Sequence, residues 1–279
     1  MAMVQEPVGV TGSAPVARTS GERRFWRGWV IVLLQILVGV AAITIWYLIG
    51  KFQLISTFYI SSPENVYKAL VRMISSGELG YNYWDTMQAA LLSFVIGGGA
   101  GIVAGLVLAI LPRVEQVLQP YISALYSLPR IALAPIFILF FGIGLQAKVA
   151  TGVSLSFFIL LVTARAGVMS VNEDILTITQ VLGATKFDRF RKVLLPVAMP
   201  AIFGGLRLGL IYSLLGVVTS EIIASKAGLG QLIISYSGTF DMSSVYALLI
   251  VLAVTAALLN YLLGRLERWI LRYQPPQSR

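Results

Sequence analysis

The sequence predicts an all-α membrane protein with six transmembrane helices, and three observations lead there. Of 279 residues, 57% are hydrophobic and 12% charged, with a mean hydropathy of +0.84. A water-soluble chain carries roughly a quarter charged residues, so this one has too little polar surface to cover a globule. Apolar runs long enough for the roughly 17–25 residues that cross a hydrocarbon core recur along the chain. The basic residues between those runs are unevenly shared, fourteen on one side and five on the other. Cysteine and histidine are both absent. That excludes disulfides, thiolate nucleophiles, Cys- or His-based metal sites and His-based triads.

The elements follow in order. Residues 1–28 read as a cytoplasmic tail, rich in Gly, Pro, Ser and Thr up to Gly21, with no small-residue cleavage site after a short apolar core. The first span is Trp29 to Gly50. An extracytoplasmic loop over 51–85 carries a short helix opening at Pro63, where proline suits the first helical position. The second span, Thr86 to Leu111, ends at Pro112-Arg113. Gly97, Gly101 and Gly105 lie four apart in it, a spacing that lets membrane helices approach closely. The third span runs from Leu118 to Gly142 with Pro120, Pro129 and Pro135 inside it. The fourth is Lys148 to Ser170, the fifth Pro200 to Ala224 and the sixth Val245 to Leu266. The five later spans form a core over 86–268, followed by a cytoplasmic tail over 269–279.

Charge sets the orientation. Arg18, Arg23, Arg24, Arg27, Arg113, Arg165, Lys186, Arg189, Arg191, Lys192, Arg265, Arg268, Arg272 and Arg279 share one side. Lys51, Lys68, Arg72, Lys148 and Lys226 share the other. The excess belongs in the cytoplasm, so both termini are expected there. The net charge of +9 is thereby explained by topology rather than by nucleic-acid binding.

The loop 171–199 between spans four and five is long and patterned. Asn172, Glu173 and Asp174 suit a helix start, and Ile175, Ile178 and Leu182 recur at helical spacing. Gly183 ends that helix. Phe187, Phe190, Val193 and Leu194 suggest a second one, stopped before Pro196. On pattern alone, two short amphipathic helices fit either a partner's cleft or an anionic lipid surface.

The segment Leu182-Gly183-Ala184-Thr185, followed by Phe187, Phe190, Val193-Leu194-Leu195-Pro196 and Pro200, resembles the coupling loop of inner-membrane permeases of binding-protein-dependent ABC importers. That family's EAA motif is a Glu-Ala-Ala, a glycine after three residues, and a Leu-Pro-like end. The glycine and the Leu-Pro are kept at the family's spacing, while Thr177, Ile178 and Thr179 stand in the Glu-Ala-Ala positions. The stretches Ser62-Pro63 to Leu70, Leu128 to Pro135, Phe140 to Gly144, Gly205 to Gly209 and Gly228-Leu229-Gly230 resemble the nitrate/sulfonate/taurine branch. The resemblance implies a type I importer permease arrangement in a bacterial inner membrane. The partners it implies are a second permease subunit forming a homodimer, a cytoplasmic ATPase dimer and an extracytoplasmic binding protein. It also implies that Ile178, Leu182, Gly183, Ala184, Phe187, Phe190 and Pro196 dock the ATPase. ATP and Mg belong to that partner, because this chain has no Gly-x-x-x-x-Gly-Lys-Ser/Thr. No cofactor or metal is expected in the chain itself.

Charges inside spans are costly unless they face protein or water. Arg130 and Arg207 are candidates for the translocation pathway, or for snorkelling and helix pairing, and both favour an anionic solute. Glu221 is a candidate outer gate or a cap for backbone near Gly228. Tyr59, Tyr67, Tyr81, Tyr83 and Trp84 read as interfacial anchors or a binding-protein contact. Nitrate, sulfonate or taurine is the expected cargo, with a thiamine-precursor pyrimidine or riboflavin as the alternative. The rival from another class, an ion-gradient-driven secondary transporter using Glu221 or Asp85, leaves the patterned loop without a purpose.

Overall fold

The computed structural model describes residues 23–52 and 61–273. The expectations for most of the N-terminal tail, for Tyr59 and for the last six residues lie outside the described residues. The chain divides into two units, Met1–Leu54 and Ile55–Arg279.

The first unit holds one helix, α1 (Arg23–Lys51). Its apolar part, Trp29–Lys51, has a mean hydropathy of 2.4 and no buried residue within its unit. Thr44 returns its hydroxyl to the Val40 carbonyl at 2.8 Å, so its polar group is satisfied inside the helix.

The second unit begins with α2 (Pro63–Ser75), capped by Ser62, whose side chain accepts from the Asn65 amide at 3.3 Å. One face of α2 buries Val66, Ala69 and Met73. Then follow α3 (Glu78–Ile110), α4 (Pro112–Ser127), a 3₁₀ turn (Arg130–Leu133), α5 (Ala134–Phe141) and α6 (Leu145–Met169). The chain continues through α7 (Glu173–Val181), α8 (Lys186–Arg189), a π turn (Phe190–Leu194) and α9 (Leu195–Ile223). It closes with α10 (Leu229–Gly238), α11 (Met242–Ile270) and a final 3₁₀ turn (Leu271–Tyr273). Among the described residues there is no strand.

Helices α3, α6 and α9 form the centre of the unit. Glycine makes this possible on α3. A Cβ at Gly97 would run into Ser156, one at Gly101 into the Phe157 carbonyl, and one at Gly105 into the Leu161 carbonyl. The four-residue glycine spacing is thus the face that meets α6. Below it, Ala164, Val168, Ala198 and Ile202 form a buried cluster, with Leu194 and Leu195 packed on its edge.

Three expectations need correction. The third span is not continuous: α4 and the Arg130–Phe141 segment meet at 82°, and only counted as one do they make a sixth crossing. Leu128 sits at φ −66°, ψ 137°, the extended conformation that a following proline imposes, and Pro129 therefore breaks the helix. The second loop helix does not stop before Pro196. It passes through the π turn into α9, with Pro196 in the first turn and Pro200 inside the helix. A π turn opens the backbone by one residue, and Leu195 donates to the Phe190 carbonyl, so the proline ring is accommodated where an α-turn would clash. The second span starts at Glu78, eight residues before Thr86: there Glu78 accepts from Tyr236 of α10, Asn82 from the Gly228 amide, and Asp85 pairs with Lys148 of α6.

Candidate functional site

At one end of the unit, the starts of α3 and α6, the end of α9 and the 228–230 segment converge on two charges. Lys148 Nζ lies 3.0 Å from Glu221 Oε1, and the exposures of the two side chains are 4% and 0%. Lys148 also pairs with Asp85 and donates to the Ala227 carbonyl at 2.7 Å. Thr86 donates its hydroxyl to the Glu221 carboxylate at 2.9 Å and accepts from the Leu229 amide at 2.8 Å. The Gly230 amide donates to Glu221 Oε2 at 2.9 Å, and Asn82 Oδ1 accepts from the Gly228 amide at 2.8 Å. Glu221 therefore caps the first turn of α10, where a carboxylate meets free amides and the positive end of the dipole. Gly228, at φ +115°, lies so close that a Cβ would sit inside the Glu221 carboxyl group. A carboxylate this deep is stable only with all of its partners in place.

Two further contacts tie this end together. Tyr236 of α10 donates to Glu78 Oε2 at 2.7 Å; burial first, and then that hydrogen bond, push its hydroxyl up to about 12. Arg72 of α2 reaches Asp241 at 2.9 Å and Ser244 at 2.7 Å. Burial raises the Asp241 carboxyl, but hydrogen bonds from Ser244 and Arg72 outweigh it and leave the group below its ordinary value.

The opposite end carries the patterned loop. Asn172 caps α7 by accepting from the Asp174 amide at 2.8 Å. Helix α7 ends in a left-handed Gly183 (φ +77°), with Ala184 N to Thr179 O and Gly183 N to Gln180 O, both at 3.0 Å. That pair of bonds is a Schellman motif. Thr185 caps α8 through the Asp188 amide at 3.1 Å. Leu176 turns towards a cleft of about 540 Å³ at the ends of α3 and α6. Ile178, Val181, Leu182 and Phe187 turn outwards, and Val181 and Leu182 are 81% and 79% exposed. Gly183 is also exposed; Ala184, Phe190 and Pro196 are half-buried. So the periodic apolar face read from the sequence is the face left uncovered within this chain.

The arginines within the spans go to different places. Arg207 of α9 pairs with Glu267 of α11, and Arg165 of α6 pairs with Glu115 of α4. Both are helix–helix pairs. Arg130 opens the 3₁₀ turn at the bend and is 8% exposed. Its Nη2 donates to the Tyr126 and Leu125 carbonyls at 3.0 and 3.4 Å, and its guanidinium lies 4.1 Å from the Phe158 ring centre. The sequence-predicted residues therefore fall into four separate places, not one site.

Residues 97–272 match the family described as the binding-protein-dependent transport system inner membrane component. The chain belongs to this family. The permease is 28% identical to a putative aliphatic sulfonates transport permease of Bacillus subtilis, over 95% of this chain and 94% of that one. It is 32% identical to a riboflavin transport system permease of Chloroflexus aurantiacus, over 78% and 81%. It is 30% identical to the taurine transport system permease of Escherichia coli, over 87% and 91%. Its fold matches the inward-facing MetNI methionine ABC transporter at a TM-score of 0.60 and 20% identity, covering 67% of this chain and 93% of that one. An amino acid ABC transporter matches at 0.57 and 19%, covering 74% and 98%. The permease is accordingly a subunit of an ABC importer with a type I permease fold.

Lys148 is the residue that sequence reasoning missed. Its position at the outer end of the fourth span places it among the outer basic residues, with no role in a site. The available signal was cost: a lysine adjoining an apolar span needs a carboxylate, and Asp85 and Glu221 are the acidic residues nearest the same ends of their spans.

Proposed function

We propose that the permease imports a small organic anion of the sulfonate class, as a homodimer driven by a cytoplasmic ATPase dimer using ATP and Mg and supplied by an extracytoplasmic binding protein. Similarity to the aliphatic sulfonates permease over 95% of the chain carries the substrate class. The ATPase docks on the loop 171–199. Ile178, Leu182 and Phe187 offer the apolar face, and Gly183 with Ala184 keeps the backbone close to the partner, while Phe190 and Pro196 join the loop rigidly to α9. A helix pair with its apolar side uncovered and its base continuous with a central helix suits the transmission of force. In this reading both termini are cytoplasmic, by the charge bias. Arg207 serves as a helix pair, Glu221 as the outer gate's anchor, and Arg130 faces the pathway.

The test is uptake into proteoliposomes holding the permease, its ATPase and its binding protein. ATP-dependent accumulation of labelled ethanesulfonate or taurine is the expected result. Accumulation of riboflavin or formylaminopyrimidine with no sulfonate uptake would instead favour the second reading, which relatives of 32% and 31% identity support.

A further inference from the structure

Arg130 differs from the other two arginines within the spans. Arg165 and Arg207 each meet a glutamate. Among the described residues Arg130 has no carboxylate partner, although it is more than nine-tenths buried; its Nε has no hydrogen-bond acceptor, a feature it shares with Arg165 and Arg207. Two carbonyls at the end of α4 and the faces of Phe158 and Tyr126, at 4.1 and 5.1 Å from the guanidinium carbon, are what hold it. Aromatic faces and carbonyl oxygens attract a cation but do not neutralise it. A buried charge without a counter-charge is costly to keep.

A cleft of about 270 Å³ opens beside it, lined by Arg130, Tyr126, Leu128, Pro129, Ile159 and Tyr212, among others. No carboxylate is among the lining residues. The cleft thus brings together one cation, two phenols and an aliphatic wall. Its volume lies just below the roughly 300–1,000 Å³ usual for ligand pockets, which suits a solute of few heavy atoms.

We infer that this cleft is a selectivity site within the permease itself, where Arg130 receives the oxyanion of a small organic sulfonate and the aliphatic wall receives its short tail. The inference rests on the importer reading above and adds that the membrane subunit discriminates charge. The planar guanidinium presents its N–H donors to an oxyanion in a fixed geometry, which a flexible lysine ammonium does not reproduce. Tyr212 is the second determinant, reaching the cleft from α9 while Arg130 comes from the α4–α5 bend.

The test uses the permease–ATPase complex in nanodiscs, without binding protein, and 2,2,2-trifluoroethanesulfonate followed by ¹⁹F line broadening. The expected result is broadening that ethanesulfonate competes away and neutral ethanesulfonamide does not. Arg130→Gln should abolish it, Arg130→Lys should weaken binding about tenfold, and Tyr212→Phe should weaken it several-fold. If Arg130→Gln fails to assemble, because it also loses its bonds to the α4 carbonyls, the lysine and phenylalanine variants decide. No broadening by the wild type, equal competition by the sulfonamide, or wild-type binding in both conservative variants would overturn the inference. Each of these three failures leaves ATP-driven uptake intact and the importer reading standing. Loss of ATP-driven uptake with Arg130-dependent binding preserved would do the reverse.

Discussion

Lys148 and Glu221 meet at 3.0 Å with their side chains 4% and 0% exposed, and that pair fixes three helices and the 228–230 segment in one arrangement. Removing one member leaves the other charged and buried, which costs about 3–5 kcal/mol in comparable pairs. Lys148→Met should be the more damaging change, since it strands both Asp85 and Glu221. Glu221→Gln should be milder, because Lys148 keeps Asp85. The double variant should recover part of the Lys148→Met loss. Thermal unfolding of the purified permease measures this as a double-mutant cycle; strictly additive losses would show that the pair is not coupled.

Gly228 and Gly77 separate two costs that are often confused. Both have positive φ, at +115° and +77°. A Cβ at Gly77 meets nothing within 4 Å, whereas one at Gly228 overlaps the Glu221 carboxyl. Gly77→Ala should therefore cost about 1 kcal/mol of backbone strain. Gly228→Ala should cost more, through overpacking of typically about 1–3 kcal/mol and through φ 115°, ψ 162°, a region essentially confined to glycine, and should loosen α10. Limited proteolysis within 225–241 and unfolding midpoints check both; equal losses would count against the contact.

The sequence made the long elements plain, because an apolar run can satisfy its backbone in lipid only as a helix. It also located the loop helix ended by Gly183, where capping chemistry is local. What it could not convey was tertiary. Pro129 and Pro196 look alike in the sequence, yet one breaks a helix and the other is absorbed by a π turn beside the cluster of Ala164, Val168 and Ala198. Lys148 reads only as an outer basic residue at the start of a span because its partners lie 63 and 73 residues away in the chain. Arg130, Arg207 and Glu221 could be picked out for their cost but not assigned, since the assignment depends on whether a glutamate, a lysine or only aromatic rings face them.

Asp241 gives a pH signature. It caps α11 by accepting from the Ser244 amide at 3.2 Å and holds Arg72. Its carboxyl lies below the ordinary value, so the folded state favours the charged form. The associated stability is present above the unfolded-state value, near pH 4, and is lost as pH falls through the lower folded value. Asp241→Ala should cost about 1–2 kcal/mol near neutral pH, as lost caps do. The difference from wild type should shrink as pH falls below about 4. A difference that stays constant down to pH 3 would mean that the charge contributes nothing.

The loop face makes the sharpest separation between folding and coupling. Leu182 is 79% exposed and a Cβ at Gly183 meets nothing within 4 Å, so neither position has packing to lose within this chain. Leu182→Asp should leave the permease's own stability within about 0.5 kcal/mol, as exposed substitutions do. Against an apolar cleft, the new carboxylate would be buried without a partner. A loss of about 1.4 kcal/mol there lowers the association constant tenfold. Gly183→Val adds about 1–2 kcal/mol of strain at a left-handed residue and a branched side chain at the closest approach. Leu182→Asp should retain a normal unfolding midpoint and Gly183→Val should lower it only by that strain, while both lose co-purified ATPase and substrate-stimulated hydrolysis in proteoliposomes. Wild-type ATPase retention and transport in both would identify the loop as a helix pair that rests on lipid, and force would then have to enter α9 by another surface.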